Sequence, residues 1–342
     1  NRALFFASYN VTSQRPSENA FSTIRNYQQA AEGQLGTVAN ANLKPEITTQ
    51  YELGFRQRLG ERAAFTLSGF YRTQQNKITL RNQEITFPQG TTTYLNRDFT
   101  TTKGVEVAFE LRRTRNLSVN ANYTLSFAEG TGSDSRTARI IAWRSNSGVF
   151  PETISPLDFD QRHNVNLSLD YRLGEGEGPM IGGIQPLAGF GFNLLGVFKS
   201  GNPYTQLDEE TQALPNSSSF GGIVGAVNAV RAPATTRLDL RVDRAFNLGP
   251  ARLKGYVNVQ NLLDTDQVIG VYRTTGLPND DGFIASDPTQ ITGLGSDVER
   301  DAYRFLYSQF VGGPVVQNTY RASSGQFYGL PRRIRLGVVL DF

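Results

Sequence analysis

The last ten residues, Arg333-Ile334-Arg335-Leu336-Gly337-Val338-Val339-Leu340-Asp341-Phe342, carry the pattern that decides the fold. Every second residue counted back from Phe342 is apolar, whereas Arg333, Arg335 and Asp341 fall on the opposite parity. Successive side chains of a β-strand point to opposite faces of a sheet, so the segment is predicted to form an amphipathic strand. Taken alone, it fits the edge of a soluble sandwich as well as a strand of a membrane barrel.

The overall composition favours long strands and turns. The chain has 342 residues, with 34 glycines, 22 phenylalanines and 14 tyrosines, and only 38% of its residues are hydrophobic. Aromatic residues are enriched in strands. No run of about 18 apolar residues occurs, which excludes an ordinary transmembrane helix. A membrane barrel is compatible with this composition, because only every second residue of its strands faces lipid.

Residues that carry much enzymatic and metal chemistry are scarce. Cysteine is absent and His163 is the only histidine, which excludes disulfides, thiolate metal sites, His-dependent triads and multi-His sites. We interpret the stretch Asp158-Phe159-Asp160-Gln161-Arg162-His163 as a structural motif between a loop and a strand. We therefore expect no enzyme activity, no cofactor and no metal site. The net charge of +3 includes no dense basic run, which argues against nucleic-acid binding.

Strict alternation of apolar and polar residues recurs along the chain. It is clearest in residues 105–112, 117–127, 164–173 and 237–243. Such repeated period-two patterning predicts an all-β fold. We expect about ten strands, near residues 1–12, 44–59, 63–80, 92–113, 116–128, 159–173, 187–200, 234–247, 250–263 and 331–342.

The predicted connections alternate between short and long. The short ones are 60–62, 114–115, 248–249 and a glycine-rich one at 174–186. The long ones are 13–43, 81–91, 129–158, 201–233 and 264–330, the last with an expected short helix at 297–310. Outer-membrane barrels have tight periplasmic turns and long outer loops. If the short connections are periplasmic and the long ones extracellular, the last strand runs towards the periplasm. Phe342 is then expected at the periplasmic rim of the barrel.

The polar parity also separates a barrel from a sandwich. The polar parity is occupied repeatedly by Asn, Ser, Asp, Arg and Glu, with few apolar residues between them. This composition suits a water-filled or plugged lumen better than a dry core between two sheets. Many predicted strands match or exceed the roughly nine to eleven tilted residues that cross a bilayer. The sequence therefore predicts the wall of an antiparallel transmembrane β-barrel in a bacterial outer membrane.

Several motifs, in this order along the chain, resemble the barrel of TonB-dependent outer-membrane transporters. They are Leu43-Lys44-Pro45-Glu46 with Tyr51-Glu52-Leu53-Gly54-Phe55, Thr102-Lys103-Gly104-Val105-Glu106, Tyr256–Asp264, and Gly329–Arg333 leading to Phe342. Asp160–His163 and Ser200–Tyr204 also resemble passages of the family. The pattern is most similar to the Oar-like branch, which bears a carboxypeptidase-regulatory domain.

The resemblance implies that residues 1–342 are the carboxyl-terminal part of one larger barrel. Members of the family close a 22-stranded barrel around a plug, and about ten strands cannot complete that wall. The amino terminus reads as the interior of a strand rather than as a signal peptide, and the sequence holds no counterpart of a plug or TonB box. The implied partners are the missing half of the barrel with its plug, a TonB-type energy-coupling protein, the barrel assembly machinery and outer-membrane lipid.

Two sets of residues are candidates for functional roles. Residues of the polar parity are expected to face the lumen or the plug: Glu52, Glu106, Glu110, Arg112, Asp170, Arg172, Asp239 and Arg241. The closing strand resembles the terminal strand that the assembly machinery of outer-membrane barrels reads. Its expected assembly signal consists of Ile334, Leu336, Val338, Leu340 and Phe342.

Three functions follow as hypotheses. The first is uptake of a substrate through a plug-gated lumen by a TonB-dependent transporter. The second is a structural or adhesive surface protein whose barrel anchors long extracellular loops. The third, an outer-membrane hydrolase, lacks a nucleophile–His–acid constellation. The residues indicate no particular substrate.

Overall fold

The computed structural model describes residues 2–24, 26–27, 37–83, 91–137, 153–207, 222–249, 251–278 and 327–341. The expected helix at 297–310 and the carboxyl-terminal Phe342 lie outside these residues. No helix within the described ranges is long and apolar enough to span a membrane.

The described chain is almost entirely β-structure, as the alternation predicted. Ten long strands lie within four residues of the predicted bounds. The elements are β1 (Ala3–Gln14), α1 (Glu18–Phe21), β2 (Thr37–Val38), β3 (Glu46–Leu59), β4 (Ala63–Gln83), β5 (Thr91–Thr114), β6 (Leu117–Gly130), β7 (Ser155–Pro156), β8 (His163–Arg172), β9 (Phe190–Lys199), β10 (Pro203–Tyr204), β11 (Val230–Arg231), β12 (Thr235–Leu248), β13 (Ala251–Gln260) and β14 (Arg333–Asp341).

The ten long strands form one antiparallel meander. Their order in the sheet is β1-β3-β4-β5-β6-β8-β9-β12-β13-β14, so each long strand pairs with the next one along the chain. The two-residue strands β2 and β7 add to β5 and β6, and β10 pairs with β11. These short strands lie within segments that were predicted to be loops. They were not predicted because two residues are too few to show an alternation of apolar and polar residues.

The connections have the predicted phase, with one correction. Residues 60–62 and 115–116 join strands by tight turns along one edge of the sheet, which we call the turn edge, and Gly249 follows β12 at the same edge, where Leu248 pairs with Ala251. Gly60, Arg115 and Gly249 have positive φ there, as tight turns demand. The expected loop at 81–91 is shorter than predicted: β4 and β5 continue as a hairpin to Gln83 and from Thr91. The strand residues of this segment outside the predicted bounds, Arg81, Asn82, Gln83 and Thr91, are all polar, so no alternation of apolar and polar residues marked them.

The sheet turns its apolar side outward. Cross-strand register places the apolar parity of every long strand on a single face. On that face Phe5 is 74% exposed and Leu336 is 77% exposed. Leaving one such side chain in water forfeits about 1.5–3 kcal/mol, so a soluble sandwich does not fit. The apolar face is the lipid-facing surface of a membrane wall.

The wall is not closed by the described residues. The strands at its two ends, β1 and β14, do not pair with each other within the described ranges. Backbone groups at an open edge cannot be left unpaired in hydrocarbon. The ten strands are therefore part of a larger barrel, as predicted.

Candidate functional site

The polar face of the sheet carries most of the predicted site residues. Register connects Glu110 to Asn120 and Asn120 to Ser168, and then Ser168 to Leu195 and Leu195 to Asp239. Side chains directly opposite each other share a face. The same counting places these seven on one face: Glu52, Glu106, Glu110, Asp170, Arg172, Asp239 and Arg241.

An ion-pair network crosses this face close to the turn edge. The Asp170 carboxylate pairs with Arg113 and, at 3.1 Å, with Nε of Arg172. Nη1 of Arg172 lies 3.4 Å from Oδ2 of Asp243, and Nζ of Lys254 lies 3.1 Å from the same oxygen. The network thus links strands from β5 to β13.

Asp243 is the most enclosed member of the network. Its side chain is 3% exposed, and Nε of Arg241 lies 3.7 Å from its Oδ1. A Cβ at Gly191 would lie 2.9 Å from Oδ2 of Asp243. The Asp243 carboxylate therefore fits only because Gly191 has no side chain. Sequence reasoning named Arg241 but missed Asp243 as the centre, although the alternation of 237–243 already placed it on the polar parity.

A β-bulge changes the prediction for the arginines at the end of β5. The ladder with β6 is irregular between Leu111 and Thr114, and a bulge re-aims the side chains near it. Nε of Arg112 lies 3.9 Å from Oε1 of Glu110, and the Arg112 side chain is largely exposed. Arg113, which strict alternation put on the other face, pairs with Asp170. Period-two counting cannot find such a residue, because the bulge is not marked in the sequence.

A second group of charges lies at the turn edge near β1. Nη2 of Arg56 is 3.4 Å from Oε2 of Glu110. These two residues line one pocket together with Arg2, Arg58 and Arg62. Glu52 and Glu106 lie elsewhere, in a neighbouring pocket of the polar face.

The remaining predicted residue, Asp239, belongs to a separate pair. Its carboxylate accepts hydrogen bonds from Nε of Arg237 at 2.9 and 3.0 Å. It also accepts one from the backbone N–H of Asn261 at 2.9 Å, which fixes the chain where β13 ends. Arg241 instead places its guanidinium 4.5 Å from the ring centroid of Tyr256, a cation–π contact.

Aromatic rings of the polar face cover glycines on neighbouring strands. Phe6 lies on Gly54 and Phe70 on Gly104, and the ring of Tyr256 occupies the space beside Gly337. A Cβ at Gly104 would lie 2.6 Å from Cζ of Phe70. The absence of a side chain at these glycines leaves room for the rings to lie against the backbone of the neighbouring strand.

The histidine motif has the structural role expected of it. Asp160 is fully buried; its Oδ1 accepts from the backbone N–H of Ala128 at 2.8 Å and its Oδ2 from Nε of Arg162 at 2.9 Å. Nη1 of Arg231 donates to the Asp160 carbonyl oxygen at 2.7 Å. Nδ1 of His163 is 2.9 Å from the Tyr123 hydroxyl oxygen. The motif ties two long connections together at the edge opposite the turns.

Within the described ranges, no group of three or more His, Asp and Glu residues is arranged to hold an ion.

The closing strand presents its expected apolar residues together. Ile334, Leu336, Val338 and Leu340 lie on the apolar face of β14 and are exposed. Phe342, the fifth residue of the expected assembly signal, is outside the described residues.

Comparisons with known proteins agree with this geometry. Residues 1–262 match the family model described as TonB dependent receptor-like, beta-barrel. The outer membrane transporter YddB from Escherichia coli superposes with a TM-score of 0.52 at 16% identity, covering 78% of this chain and 35% of that one. The ferripyoverdine receptor of Pseudomonas aeruginosa gives 0.51 at 14%, covering 79% and 28%. The FpvAI–pyocin S2 complex gives 0.55 at 13%, covering 99% and 30%. No curated protein sequence matches.

These structural matches establish the fold, and their coverage shows how much of a complete barrel protein the chain represents. The chain spans about a third of the length of the transporters that it resembles. Families of this kind are outer-membrane receptors and transporters rather than enzymes. Four observations lead to one conclusion. They are the outward apolar face, the charged opposite face, the alternation of short and long connections, and the family match over most of the chain. The chain belongs to the TonB-dependent receptor β-barrel family and is located in the bacterial outer membrane.

Proposed function

We propose that residues 1–342 form the carboxyl-terminal part of the barrel of a TonB-dependent transporter, which takes up its substrate through a plug-gated lumen. The observation that carries this proposal is the charged network on the polar face, from Arg113 through Asp170 and Arg172 to Asp243. A charged face of this kind fits the polar interior of an outer-membrane barrel, which is water-filled or plugged, and the family match over residues 1–262 supports the plugged form.

The polar face then lines the lumen, and the eight candidate residues divide into two groups. Glu110, Arg112, Asp170, Arg172 and Arg241 lie at the turn edge, in the ion-pair groups described above. Glu52, Glu106 and Asp239 lie further along the strands. In this orientation the turn edge is periplasmic and the long connections are extracellular.

The proposed partners follow from the same orientation. Preceding strands would pair with the free edges of β1 and β14, a plug would occupy the lumen, and a TonB-type protein would supply energy from the inner membrane. The apolar face of β14, with Phe342, would be the signal for the barrel assembly machinery.

Transport is tested with the full-length protein in its own membrane. Uptake from the growth medium is profiled in four strains, with and without the receptor and with and without the coupling protein. A transporter depletes at least one compound only when both proteins are present. A surface anchor would leave the medium unchanged in all four strains and contradict the proposal.

A further inference from the structure

We propose that the apolar face of the wall holds one lipid molecule with an anionic phosphate headgroup, in a groove that crosses β1, β3, β4, β5 and β6. Lys103 binds the phosphate, and the floor of the groove at Gly69 receives an acyl chain. The inference concerns the lipid side of the wall. It therefore goes beyond the proposed function and does not depend on a plug or on transport.

A row of aromatic side chains with one cation among them crosses the apolar face at the groove. Each member is in register with the next one on the neighbouring strand, and the row consists of Tyr9, Tyr51, Tyr71, Lys103 and Phe127. The adjacent row towards the turn edge is apolar, with Leu53, Gly69 and Val105 at its centre. The groove thus has an apolar floor with a cation and aromatic rings at one end.

The aromatic row lies where the strands leave the hydrocarbon layer. Residues 51–59 of β3 and 63–71 of β4 reach from the row to the turn edge, nine residues in each strand. A tilted strand crosses the hydrocarbon in roughly nine to eleven residues. Beyond the row, the same face carries Thr49, Thr73 and Thr101. The row is therefore an aromatic girdle at the depth of the headgroups, and the proposed orientation puts it in the extracellular leaflet.

Lys103 brings a positive charge to this depth without an acid beside it. Its side chain is exposed, and in its row it stands between Tyr71 and Phe127. Glu129 lies one row further out, and no ion pair joins Lys103 to Glu129 or to another carboxylate of the described ranges. An ammonium group binds phosphate as a point charge, and the attraction is stronger beside hydrocarbon than in open water. The charge therefore selects an anionic headgroup.

The floor of the groove selects the other end of the ligand. The groove has a volume of about 760 Å³, within the range of small-molecule sites. A Cβ at Gly69 would meet only the carbonyl oxygen of Gly104, at 3.8 Å, so the floor is open there. Leu53 and Leu125 also line the groove, and burying apolar surface against them favours an acyl chain. A free phosphate would leave this floor empty, whereas a phosphate-bearing lipid fills both parts.

Native mass spectrometry of the full-length receptor in an uncharged detergent tests the site. Phosphatidylglycerol is compared with phosphatidylcholine of the same acyl chains, which has no net charge. We expect the receptor to retain one phosphatidylglycerol, and Lys103→Gln to weaken that binding at least about tenfold, the change expected for loss of one charge-assisted contact. Lys103→Arg should keep the binding. Lys199→Gln is the matched control, because it makes the same change on the polar face.

Two further measurements separate a lipid site from a phosphate site. Gly69→Leu fills the floor but keeps the charge, and it should also weaken phosphatidylglycerol binding. Inorganic phosphate should not displace the lipid, and the heat-modifiable shift on gels shows that each variant is folded. Equal retention of the two lipids, or equal binding by wild type and Lys103→Gln, would overturn the inference. Displacement by inorganic phosphate would overturn the assignment of a lipid.

Discussion

Arg172 and Asp243 form an ion pair across the strand that separates them. Nη1 of Arg172 on β8 lies 3.4 Å from Oδ2 of Asp243 on β12, and β9 runs between them. The residue of β9 in register with both is Gly191. The ion pair therefore crosses β9 at Gly191, where the absence of a side chain leaves room for it.

Replacing Gly191 by alanine should disrupt this bridge. The new methyl group would lie 2.9 Å from Oδ2 of Asp243 and 3.2 Å from Nη1 of Arg172. We expect a loss of about 1–3 kcal/mol in the free energy of unfolding, as for other overpacked positions. Urea titration of the full-length protein in lipid vesicles measures it. Gly196→Ala on the same strand is the control, because its Cβ would meet only ordinary contacts at 3.6 Å.

Removing the charge of Asp243 should cost more than removing that of Glu110. Asp243 is 3% exposed and lies among Arg172, Arg241 and Lys254, so Asp243→Asn removes the one carboxylate that these three partly exposed cations share. Because the cations are partly exposed, we expect a loss of about 1.5–3 kcal/mol, as for hydrogen bonds to charged groups, rather than the larger cost of breaking a fully buried pair. Glu110 is half-exposed, and for such pairs the loss is about 0–1 kcal/mol. Equal unfolding midpoints for Asp243→Asn and Glu110→Gln would show that the network does not stabilise the wall.

Two neighbouring glycines provide a test of the aromatic coverage. Gly54→Ala would place a methyl group 2.5 Å from Cε1 of Phe6, whereas Gly69→Ala would meet nothing nearer than 3.8 Å. We expect Gly54→Ala to lower the yield of folded, heat-modifiable barrel on gels and Gly69→Ala to leave it unchanged. Rescue of the first variant by Phe6→Leu would assign the loss to the ring. A similar yield for both glycine variants would contradict this packing.

The turn that follows β8 should depend on pH through Glu177. Its carboxylate accepts hydrogen bonds from the backbone N–H of Gly174 at 2.6 Å and from Nδ2 of Asn116 at 2.5 Å. These bonds lower its pKa, the Gly174 bond most. A carboxyl whose folded pKa is depressed stabilises the turn above its unfolded pKa of about 4.3, and the effect is lost as the pH falls through the lower folded value.

Hydrogen exchange of the Gly174 amide measures this dependence. Protection should be present at neutral pH and disappear on acidification, and Glu177→Gln should reduce it already at neutral pH. Glu175→Gln is the neighbouring control. Protection that is independent of pH in the wild-type protein would exclude the role of Glu177.

The strands were predictable because their chemistry is periodic, and the network was predictable only in part. Leu238, Leu240 and Val242 alternate with charged residues, and that pattern alone fixes both the strand and its faces. The pairing of Arg113 with Asp170 depends on a bulge, and the role of Gly191 depends on which residue stands beside it in the next strand. Such relationships arise from register between distant segments. They leave no local signal in the chain.

Site-directed spin labelling along β8 is the most direct test of the central claim that one face of the wall meets lipid and the other the lumen. The chain contains no cysteine, so single cysteines introduced at positions 165 to 170 each carry one label. Collision with oxygen, which concentrates in lipid, and with a water-soluble nickel complex is then compared at each position. We predict high oxygen accessibility at Val165, Leu167 and Leu169, and the opposite preference at Asn166, Ser168 and Asp170. Accessibility without a period of two, or with these parities exchanged, would contradict the account.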